Sequence, residues 1–459
     1  MQANENYGAS LHLHFVGVGG SGVSALAQYH VMRGGSAQGS DRSFDAGRNL
    51  QTRERLESLG IEIVPQDGSG LTTECDAVIV SGAVENSIPD IHVARQRSIP
   101  ILHRSELLAR FVSEKHTTSV AGTSGKSTVT AMIFEILRSA GQDPSLITGG
   151  NLISLQKEGH PGNAWVGESD LLVIEADESD GSLIRYESWI GVLLNLHRDH
   201  KELETLVGYF EGFRDQTRGP FLVGEDENLE PFRAGAVVFG LGPGCDFRAE
   251  AVDVVPEGSR FLVEGVEFCL SVPGLHNVRN AIAAVAACRA SGVDLEAASE
   301  ALTRFRGVER RFQVVGRVRG VEVVDDFAHN PDKIRAALTT ARDRGDRILA
   351  VFQPHGYGPV RFMREELVDT LALSLRRDDR LWMPEIFYAG GTVNRDVSSK
   401  DIVEEVAALG IPAVYAEKRD ALVDLIAAEA KAGDVVVIMG ARDPSLSGFA
   451  RRILDRLTP

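Results

Sequence analysis

A glycine turn that carries Lys126 offers the clearest chemistry in this sequence. Residues 119–133 read SVAGTSGKSTVTAMI, in which a β-branched run precedes the turn and good helix formers follow it. Gly122 and Gly125 allow a tight turn whose backbone N–H groups point into a concavity, and Lys126 adds a mobile positive charge. The Ser127 hydroxyl suits the Mg²⁺ that accompanies a nucleoside triphosphate. The pattern predicts a phosphate-binding loop; an ordinary glycine turn with a surface lysine is the alternative.

Two further strands of the same predicted sheet end in polar groups. Residues 171–174 are continuously apolar and are followed by Glu175, and residues 190–194 lead to His200 within NLHRDHKE. Such runs are typical of strands buried on both faces, and the carboxyl ends of parallel strands meet at one edge. Ser127, Glu175 and His200 are therefore predicted to hold one Mg²⁺ ion. For His200 alone, capping of a strand end is the alternative.

A second glycine motif lies near the start of the chain. The strand predicted at 11–16 runs into Gly17, Gly19 and Gly22 in the GxGxxG pattern, and Asp41 follows at the distance expected after a second strand. Such a turn places a diphosphate on a helix N-terminus. The fingerprint alone does not identify the ligand as NAD.

Length, charge and cysteine content limit the class of protein. The 459 residues predict about three domains, and the formal net charge of −17 argues against a nucleic-acid partner, so an anionic ligand must be held locally. No CxxC spacing suggests a zinc site or a disulfide framework. The cysteines are interpreted as small buried residues in a reducing compartment: Cys75, Cys245, Cys269 and Cys288. The N-terminus shows no signal-peptide pattern and no stretch is long enough to span a bilayer, so we expect a cytoplasmic enzyme.

Strands alternate with helices along most of the chain, which predicts an α/β fold. The predicted strands outside these motifs lie at 77–80, 101–102, 381–383 and 435–439. The predicted domains are a Rossmann-like domain at 1–115, a central P-loop ATPase domain with a parallel sheet at 116–306, and a C-terminal Rossmann-like α/β domain at 307–459. Short alternating segments between about 221 and 272 favour a small antiparallel excursion.

Polar residues at two later positions are open to two interpretations. PGLHNVRNAIAAVAACRASG predicts a helix whose start carries His276, Asn277 and Asn280, which either cap the helix or face a ligand. Arg310 and Arg311 follow in GVERRF, where a solvated pair on a domain linker is the alternative to a functional role.

Taken together, these stretches resemble the Mur ligases, the ATP-dependent amide-forming enzymes of peptidoglycan precursor synthesis. The matching stretches occur in the family's order and cover nearly the whole chain: GVGGSGVSALA, GSD, VSGAVENSIPDI, AGTSGKSTVTAMI, IEADESDGS, PGLHNVRNAIAA, GVERRFQ, VDDFAHNP and FQPH. The resemblance implies an N-terminal UDP-sugar domain, a central ATPase domain and a C-terminal amino-acid-binding domain. The branch that it most resembles joins UDP-N-acetylmuramate to L-alanine through an acyl phosphate.

The resemblance also implies roles for individual residues. ATP would be bound by Gly122, Thr123, Ser124, Gly125, Lys126, Ser127, Thr128, Asn280, Arg311 and Asp326. The UDP-sugar would be bound by Gly19, Gly20, Ser21, Gly22, Asp41 and Ser81. The amino acid would be bound by His329, His355, Tyr357 and Arg361. Mg²⁺ would be coordinated by Ser127, Glu175 and His200. Lys126, His200 and Arg311 would be catalytic. The attacking amine must be neutral, so a base is needed, for which His200 and His329 are both candidates.

The chain departs from the family pattern at three places. Ser124 stands where the alanine-adding enzymes carry histidine, and Asn330 stands within AHNP where they show HHP. Gly356 follows FQPH where an arginine is expected, and Arg361 is displaced from that position. An amino-acid carboxylate ordinarily wants a bidentate arginine, so the reaction class is defined while the amino acid remains open.

Several alternatives stay open. A recycling ligase that attaches a whole murein tripeptide to UDP-N-acetylmuramate is the nearest rival, and a roomy site around Gly356 and Gly358 would favour it. A Mur-fold binding protein without turnover is the strongest hypothesis of another class, and an NAD-dependent oxidoreductase would leave the GTSGKS loop unexplained. The expected partners are UDP-N-acetylmuramate and an amino acid or short peptide, with no nucleic acid and no membrane, for a monomer or homodimer.

Overall fold

The computed structural model describes residues 11–72, 74–82, 84–197, 202–388 and 394–458. The chain divides into two units between Val308 and Glu309, and Val254–Gly258 counts with the second unit. Each unit is an arrangement of helices and mainly parallel strands, which confirms the predicted α/β fold class.

A five-stranded parallel sheet begins the first unit. Its strands are β1 (His12–Val16), β2 (Ser36–Ser40), β3 (Glu62–Ile63), β4 (Ala77–Val80) and β5 (Ile101–His103). Their spatial order is β3-β2-β1-β4-β5, and every neighbouring pair is parallel. The accompanying helices are α1 (Ser21–Met32), α2 (Arg42–Asp45), α3 (Leu50–Ser58), α4 (Pro89–Gln96) and α5 (Arg104–Ser113). The strand order reverses beside β1, so the glycine motif after β1 lies at the switch point where such sheets bind ligands.

An eight-stranded sheet forms the centre of the first unit. Its strands are β6 (His116–Ala121), β7 (Ser145–Ile147), β8 (Ala164–Trp165), β9 (Leu171–Glu175), β10 (Ile190–Leu193), β11 (Phe221–Gly224), β12 (Val237–Gly240) and β13 (Phe247–Arg248). The spatial order is β13-β12-β11-β10-β6-β9-β7-β8, in which only β7 and β8 pair antiparallel. The helices are α6 (Lys126–Ser139), α7 (Ile153–Lys157) and α8 (Leu203–Gln216). Strands β9, β6 and β10 are adjacent, so the predicted site residues share one sheet edge.

The predicted antiparallel excursion between 221 and 272 is wrong for its first part. Strands β11 and β12 extend the central sheet in parallel, and all four residues of β11 are buried. The run FLVG is continuously apolar, which suits a strand covered on both faces. Only the later strands form a separate sheet, in which the second and third pair antiparallel: β14 (Glu250–Val255), β15 (Gly258–Val263) and β16 (Val266–Leu270). Helices α9 (Leu275–Ala290) and α10 (Leu295–Arg304) then complete the first unit.

A six-stranded sheet forms the second unit. Its strands are β17 (Gln313–Val318), β18 (Val321–Asp326), β19 (Arg347–Phe352), β20 (Arg380–Pro384), β21 (Ala413–Ala416) and β22 (Asp434–Met439). The order is β17-β18-β22-β19-β20-β21, with only β17 antiparallel to its neighbour. The helices are α11 (Pro331–Arg342), α12 (Tyr357–Ser374), α13 (Ser399–Ala408), α14 (Leu422–Glu429) and α15 (Leu446–Leu457). Every residue of β22 is buried, because β18 and β19 flank it and apolar clusters cover both faces of the sheet.

The strands predicted at 77–80, 381–383 and 435–439 are confirmed, with the last two lengthened by one residue or two at their ends. Among the described residues, no helix combines the length and the apolar character needed to cross a membrane.

Candidate active site

The turn between β6 and α6 has the backbone that a phosphate loop requires. Gly122 has φ 134° and Gly125 has φ 85°, in the region that residues with a β-carbon rarely adopt. A β-carbon at Gly125 would lie 2.5 Å from Oδ1 of Asn280, and one at Gly122 would lie 3.2 Å from the backbone nitrogen of Asn195. Both positions therefore require glycine. Helix α6 begins directly at Lys126, so its unpaired N–H groups face the turn.

Asn195, which follows β10, holds this turn in shape. Its side-chain oxygen accepts hydrogen bonds from Thr123 Oγ1 and Ser124 N, both at 2.9 Å, and its side-chain nitrogen donates to the Ser124 carbonyl at 3.0 Å. Asn195 bonds to the main-chain N–H and carbonyl of Ser124. The loop is therefore held without any contribution from the Ser124 side chain to these bonds. Sequence reasoning missed Asn195, although its place directly after a buried strand was a usable signal.

Lys126 is buried and bonded to two oxygen atoms. Its Nζ donates to the Gly122 carbonyl and to Oε2 of Glu178, each at 2.7 Å, and the two charged side chains are 12% and 9% exposed. Burial lowers the pKa of Lys126, but the nearby carboxylates of Glu178, Asp177 and Glu175 outweigh this effect and leave the pKa raised. The lysine is therefore charged, and Glu178 supplies the negative charge that a bound phosphate would supply. Sequence reasoning missed Glu178, which belongs to the EADESDGS stretch.

The structure brings Ser127 and Glu175 together at the carboxyl edge of the central sheet. Ser127 Oγ donates to the Glu175 carboxylate, 2.9 Å from Oε2 and 3.1 Å from Oε1. Oε2 also accepts from Thr148 Oγ1 and Gly149 N, both at 2.9 Å, which orients the carboxylate. These oxygen ligands suit Mg²⁺, which keeps several waters and needs few protein ligands. No cluster of three or more His, Cys, Asp or Glu suited to a metal occurs in the described part of the chain, and His200 lies outside that part.

Helix α9 brings Asn280 to the phosphate loop. Asn280 Nδ2 donates to Asn277 Oδ1 at 3.1 Å, and Asn277 Nδ2 donates to the Pro273 carbonyl at 2.7 Å. The N-cap of α9 is Gly274, which has no side chain to cap the helix, so the capping interpretation is wrong for Asn277, whose amide bonds to the preceding turn instead. Asn280 lies against the phosphate loop at Gly125. Burial, with the positive charge of Arg279, lowers the pKa of His276 to about 4, so this imidazole is neutral at pH 7.

Asp41 forms a hydrogen bond to the glycine turn after β1. One of its carboxylate oxygens accepts from Gly19 N at 3.0 Å, and the other accepts from Ser43 N at 2.8 Å at the start of α2. A β-carbon at Gly22 would lie 3.2 Å from a guanidinium nitrogen of Arg104, which sequence reasoning missed. Arg104 in turn forms an ion pair with Asp180 at 2.9 Å. A cation and an oriented carboxylate therefore flank the turn.

The other residues predicted to bind the UDP-sugar lie at the carboxyl edge of the first sheet, close to the glycine turn. Gly17 accepts from Gly20 N at 3.0 Å, and Gly20 precedes α1, which begins at Ser21. The Ser21 carbonyl accepts from Asn163 Nδ2 at 2.9 Å. Ser81 directly follows β4, the neighbour of β1. The positions predicted to bind the UDP-sugar therefore share the carboxyl edge of the first sheet: Gly19, Gly20, Ser21, Gly22, Asp41 and Ser81.

Asp326 ends β18 in the second unit, with both carboxylate oxygens already bonded. Oδ2 accepts from Phe312 N at 2.6 Å and Oδ1 accepts from Ala328 N at 2.7 Å. Burial raises the pKa of Asp326 above its usual range, although these N–H groups and Arg311 act against that rise. Arg311 lies with its guanidinium carbon 5.0 Å from the centre of the Phe327 ring. A ribose hydroxyl at Asp326 would use the second lone pair of an oxygen.

Arg310 and Arg311 differ in their surroundings. Arg310 is only 12% exposed, donates to the carbonyls of Ala441 at 2.9 Å and Gly440 at 2.6 Å, and approaches Asp325 at 3.4 Å. The alternative of a solvated pair is therefore wrong for Arg310, which links β22 to the start of the second unit. The predicted role in ATP binding and catalysis stays a prediction for Arg311.

Aromatic residues follow the ends of β18, β19 and β20. The His329 ring centre lies 5.6 Å from that of Phe327 and 5.4 Å from that of His355. The rings of Tyr357 and Tyr388 are 5.6 Å apart. Sequence reasoning missed Tyr388, which follows the next strand of the sheet. The structure thus places His329, His355 and Tyr357 along one edge.

Arg361 lies on α12 but is engaged by an acidic residue. Its guanidinium donates to the Asp396 carboxylate, with Nε at 3.0 Å, and to the Asn394 carbonyl at 3.2 Å. This hydrogen bond holds the pKa of Asp396 below its usual range. An amino-acid carboxylate would have to displace Asp396 to reach Arg361.

Two of the departures from the family pattern have local structural reasons. Asn330 is the N-cap of α11 and its Oδ1 accepts from Lys333 N at 3.0 Å. Gly356 has φ 70° and precedes α12, and its N–H donates to the Phe387 carbonyl at 2.9 Å. A side chain with a β-carbon would be strained at Gly356.

Comparison with protein families identifies the same family in three stretches that cover most of the chain. Residues 12–116 match the model of the Mur ligase family, catalytic domain, and residues 120–288 match the Mur ligase middle domain. Residues 310–442 match the model described as Mur ligase, glutamate ligase domain.

Individual relatives agree with these domain matches. The UDP-N-acetylmuramate–L-alanine ligase of Solibacter usitatus is 34% identical over 464 residues, covering 97% of this chain and 95% of that protein. The enzyme of the same name from Carboxydothermus hydrogenoformans is 33% identical over 458 residues, with 96% of each chain covered. The solved UDP-N-acetylmuramate-alanine ligase of Thermotoga maritima is 29% identical with TM-score 0.80, covering 97% of this chain and 99% of that one. A murein peptide ligase from Psychrobacter arcticus, 24% identical with TM-score 0.72 and 98% and 99% coverage, shares the fold.

Gly125→Ala tests the phosphate loop. Because the added β-carbon would meet Asn280 at 2.5 Å in a left-handed backbone, we expect ATP affinity to fall by about tenfold or more. Isothermal titration with ATP and Mg²⁺ measures this change. Gly141→Ala is the matched control, since Gly141 also has a positive φ of 75° but no atom within 4 Å of the added carbon. It should lose about 1–2 kcal/mol of stability and keep its ATP affinity; equal losses of affinity in both variants would contradict the assignment.

Glu178→Gln tests the pairing of Lys126. Removing a buried negative charge that competes with the nucleotide phosphates should tighten ATP binding by roughly tenfold. Glu168→Gln makes the same change of charge at an exposed position before β9, on the opposite edge of the sheet, and should leave affinity unchanged. Titration calorimetry on both variants decides the matter, and weaker ATP binding by Glu178→Gln would show that this carboxylate supports the nucleotide.

Proposed function

This chain belongs to the Mur ligase family, and from that premise we propose that its site joins the carboxylate of UDP-N-acetylmuramate to the amine of L-alanine. It is an ATP-dependent acid–amino-acid ligase of peptidoglycan precursor synthesis. The observation that carries the proposal is the charged, buried Lys126 at a phosphate loop that also presents the Ser127 and Glu175 oxygens.

The reaction has two steps. A carboxylate oxygen of the sugar attacks the γ-phosphorus of ATP, ADP leaves, and an acyl phosphate forms. The amine nitrogen then attacks the acyl carbon, inorganic phosphate leaves, and the nitrogen loses a proton. Two anions approach each other in the first step, so Lys126 stabilises the charge that develops on the transferred phosphoryl group, with Arg311 proposed to assist.

We assign Mg²⁺ to Ser127 and Glu175, whose oxygens fit its ligand preference. His200 completes the predicted set but lies outside the described residues. When bound, Mg²⁺ neutralises phosphate charge and supports departure of ADP. Thr148 and Gly149 hold the Glu175 carboxylate in position for this task.

The three substrates are assigned to three parts of the chain. We propose domain limits of 1–115 for the UDP-sugar, 116–306 for ATP and 307–459 for the amino acid. Asn280 would contact adenine and Asp326 the ribose, while Thr123, Ser124 and Thr128 complete the phosphate loop. His329 or His200 would act as the base that keeps the amine neutral.

The location and assembly of the enzyme complete the proposal. We place the reaction in the cytoplasm, where ATP and nucleotide sugars are available. A monomer or homodimer is the proposed assembly.

The murein tripeptide is the second candidate for the amine substrate. A β-carbon at Gly358 would meet no atom within 4 Å, so there is open space on the first turn of α12, close to Tyr357. A longer peptide would need such space beyond its first residue.

The substrate assay measures ADP release by the full chain with ATP, Mg²⁺ and UDP-N-acetylmuramate, with L-alanine, other amino acids or the murein tripeptide as the amine. We expect release with L-alanine, and a loss of about a thousandfold in kcat for Lys126→Met because the transferred phosphoryl group loses its positive partner. Release driven only by the tripeptide would identify a recycling ligase. No release with any amine, in protein that binds ATP, would contradict a ligase function.

Glu175→Gln tests the magnesium site. Loss of one anionic ligand should raise the Mg²⁺ concentration needed for half-maximal ADP release by about tenfold or more. Glu168→Gln, at the opposite sheet edge, should leave that concentration unchanged. An unchanged requirement in Glu175→Gln would remove Glu175 from the metal site.

A further inference from the structure

Arg395 is a charged side chain at the carboxyl edge of the second unit that neither the sequence motifs nor the comparisons account for. It is exposed on the segment between β20 and α13, with its guanidinium carbon 4.6 Å from the centre of the Tyr388 ring and 5.8 Å from that of Tyr357. We propose that Arg395 binds the α-carboxylate of the incoming amino acid. This assignment rests on the ligase function proposed above.

The contacts of Arg395 leave its hydrogen-bonding capacity available. Aromatic rings attract a guanidinium without accepting its N–H groups in hydrogen bonds, so the planar fork stays available for a carboxylate. Within the described part of the chain, no carboxylate lies within ion-pair distance of Arg395, and its guanidinium packs against the two tyrosine rings. The rings hold the cation in place before a ligand arrives, which lowers the entropy lost on binding.

Arg395 lies at the same sheet edge as the other residues of the second unit that are proposed to bind substrates. Strands β18, β22, β19 and β20 are neighbours in that order, so ligands at their carboxyl ends can be close in space. Asp326, the proposed ribose ligand, ends β18, while His355 follows β19 and contacts His329. Arg395 lies beyond this pair, against the residue two positions after His355. The nucleotide and the carboxylate would thus be bound on opposite sides of the two histidines.

The backbone at Gly356 explains why the cation comes from a different segment. Gly356 has φ 70°, and its N–H is used in a hydrogen bond to the Phe387 carbonyl at 2.9 Å, which ties the end of β19 to the segment after β20. An arginine at this position would be strained by its β-carbon. The same hydrogen bond brings the segment after β20 next to Tyr357. Arg395 therefore places a positive charge close to position 356, where the family resemblance predicts an arginine.

The segment that carries Arg395 is anchored on both sides. Before it, Arg361 donates to the Asn394 carbonyl at 3.2 Å, and after it, the Asp396 carboxylate accepts from the same guanidinium. Further on, Ser398 Oγ donates to Glu385 at 2.7 Å, at the end of β20. Arg361 therefore positions residues 394–396, where Arg395 has no acidic partner among the residues that the structure describes.

Other arginines at this edge are less suited to the carboxylate. Arg310 is committed to two backbone carbonyls and to Asp325, and Arg419 is bonded to Asp443 and to Ser445 Oγ at 2.6 Å. Arg442 follows β22 and is exposed, but no aromatic or acidic residue in the described ranges contacts and orients it. Arg395 combines an oriented guanidinium with freedom from an acidic partner, which makes it the preferred ligand.

Arg395→Ala and Arg395→Lys are compared with the wild-type chain in assays of ADP formation at varied L-alanine. We expect Arg395→Ala to raise KM for L-alanine by about 10- to 100-fold with kcat changed less than about threefold, because a charged hydrogen-bonded pair is lost. KM for ATP and for UDP-N-acetylmuramate should not change. Arg395→Lys should recover part of the affinity, since lysine keeps the charge without the bidentate fork.

L-Alaninamide, which lacks the carboxylate charge, separates binding from structural damage. Its inhibition constant against L-alanine should be the same in wild type and Arg395→Ala, so the preference of the enzyme for the acid over the amide should fall by the same factor as KM rises. A merely structural loss would weaken both ligands equally and would overturn the assignment.

Two arginine variants complete the comparison. Arg377→Ala removes an exposed arginine at the opposite edge of the sheet, just before β20, and should leave every KM unchanged. A rise in KM for L-alanine in Arg442→Ala but not in Arg395→Ala would show that Arg442 binds the carboxylate, and would overturn the assignment. Turnover by the wild type with an unchanged KM in Arg395→Ala would overturn this inference alone, whereas absence of turnover by the wild type with L-alanine would overturn the proposed function and this inference with it.

Discussion

Parallel strands bring every loop that follows them to one edge of the sheet, and this constraint organises the candidate site residues within each unit. In the first unit, the adjacent strands β9, β6 and β10 end in Glu175, the phosphate loop and Asn195, three parts that are far apart in sequence. In the second unit, the ends of β18, β19 and β20 bring Asp326, His355 and Tyr388 to one edge. Within each unit, the order of the strands in the sheet places these groups next to one another.

The sequence was informative wherever a property is local. The strand at 77–80, the requirement for glycine at Gly125 and the polar residues directly after buried strands follow from neighbours in the chain. The partners of those residues could not be predicted, because Glu178 reaches Lys126 from the segment after β9, and the Asn195 side chain bonds to main-chain atoms of Ser124. The direction of β11 and β12 was misjudged because short apolar segments between glycines look alike in parallel and antiparallel sheets.

Charge is compensated locally in this acidic chain, whose formal net charge is −17. Arg361 is bonded to Asp396, Arg310 to backbone oxygens and Lys126 to Glu178, so these three cations already have partners in the absence of a substrate. Ring contacts offer a different solution, since they orient a guanidinium without neutralising it. The chain therefore holds positive charge in two ways: by an ion pair at Lys126 in the first unit, and by aromatic faces at Arg395 in the second.

The pairing of Lys126 with Glu178 also bears on how the nucleotide leaves. A carboxylate 2.7 Å from the lysine acts as a competitor at very high local concentration, which weakens ground-state binding of every phosphate ligand. The same competition would act on ADP and inorganic phosphate after amide formation, because Glu178 can pair with Lys126 again. Many enzymes are limited by the release of their products, and weaker binding of reactant and product alike shortens that step. The ion pair would thus lower nucleotide affinity and, by the same competition, speed the release of products.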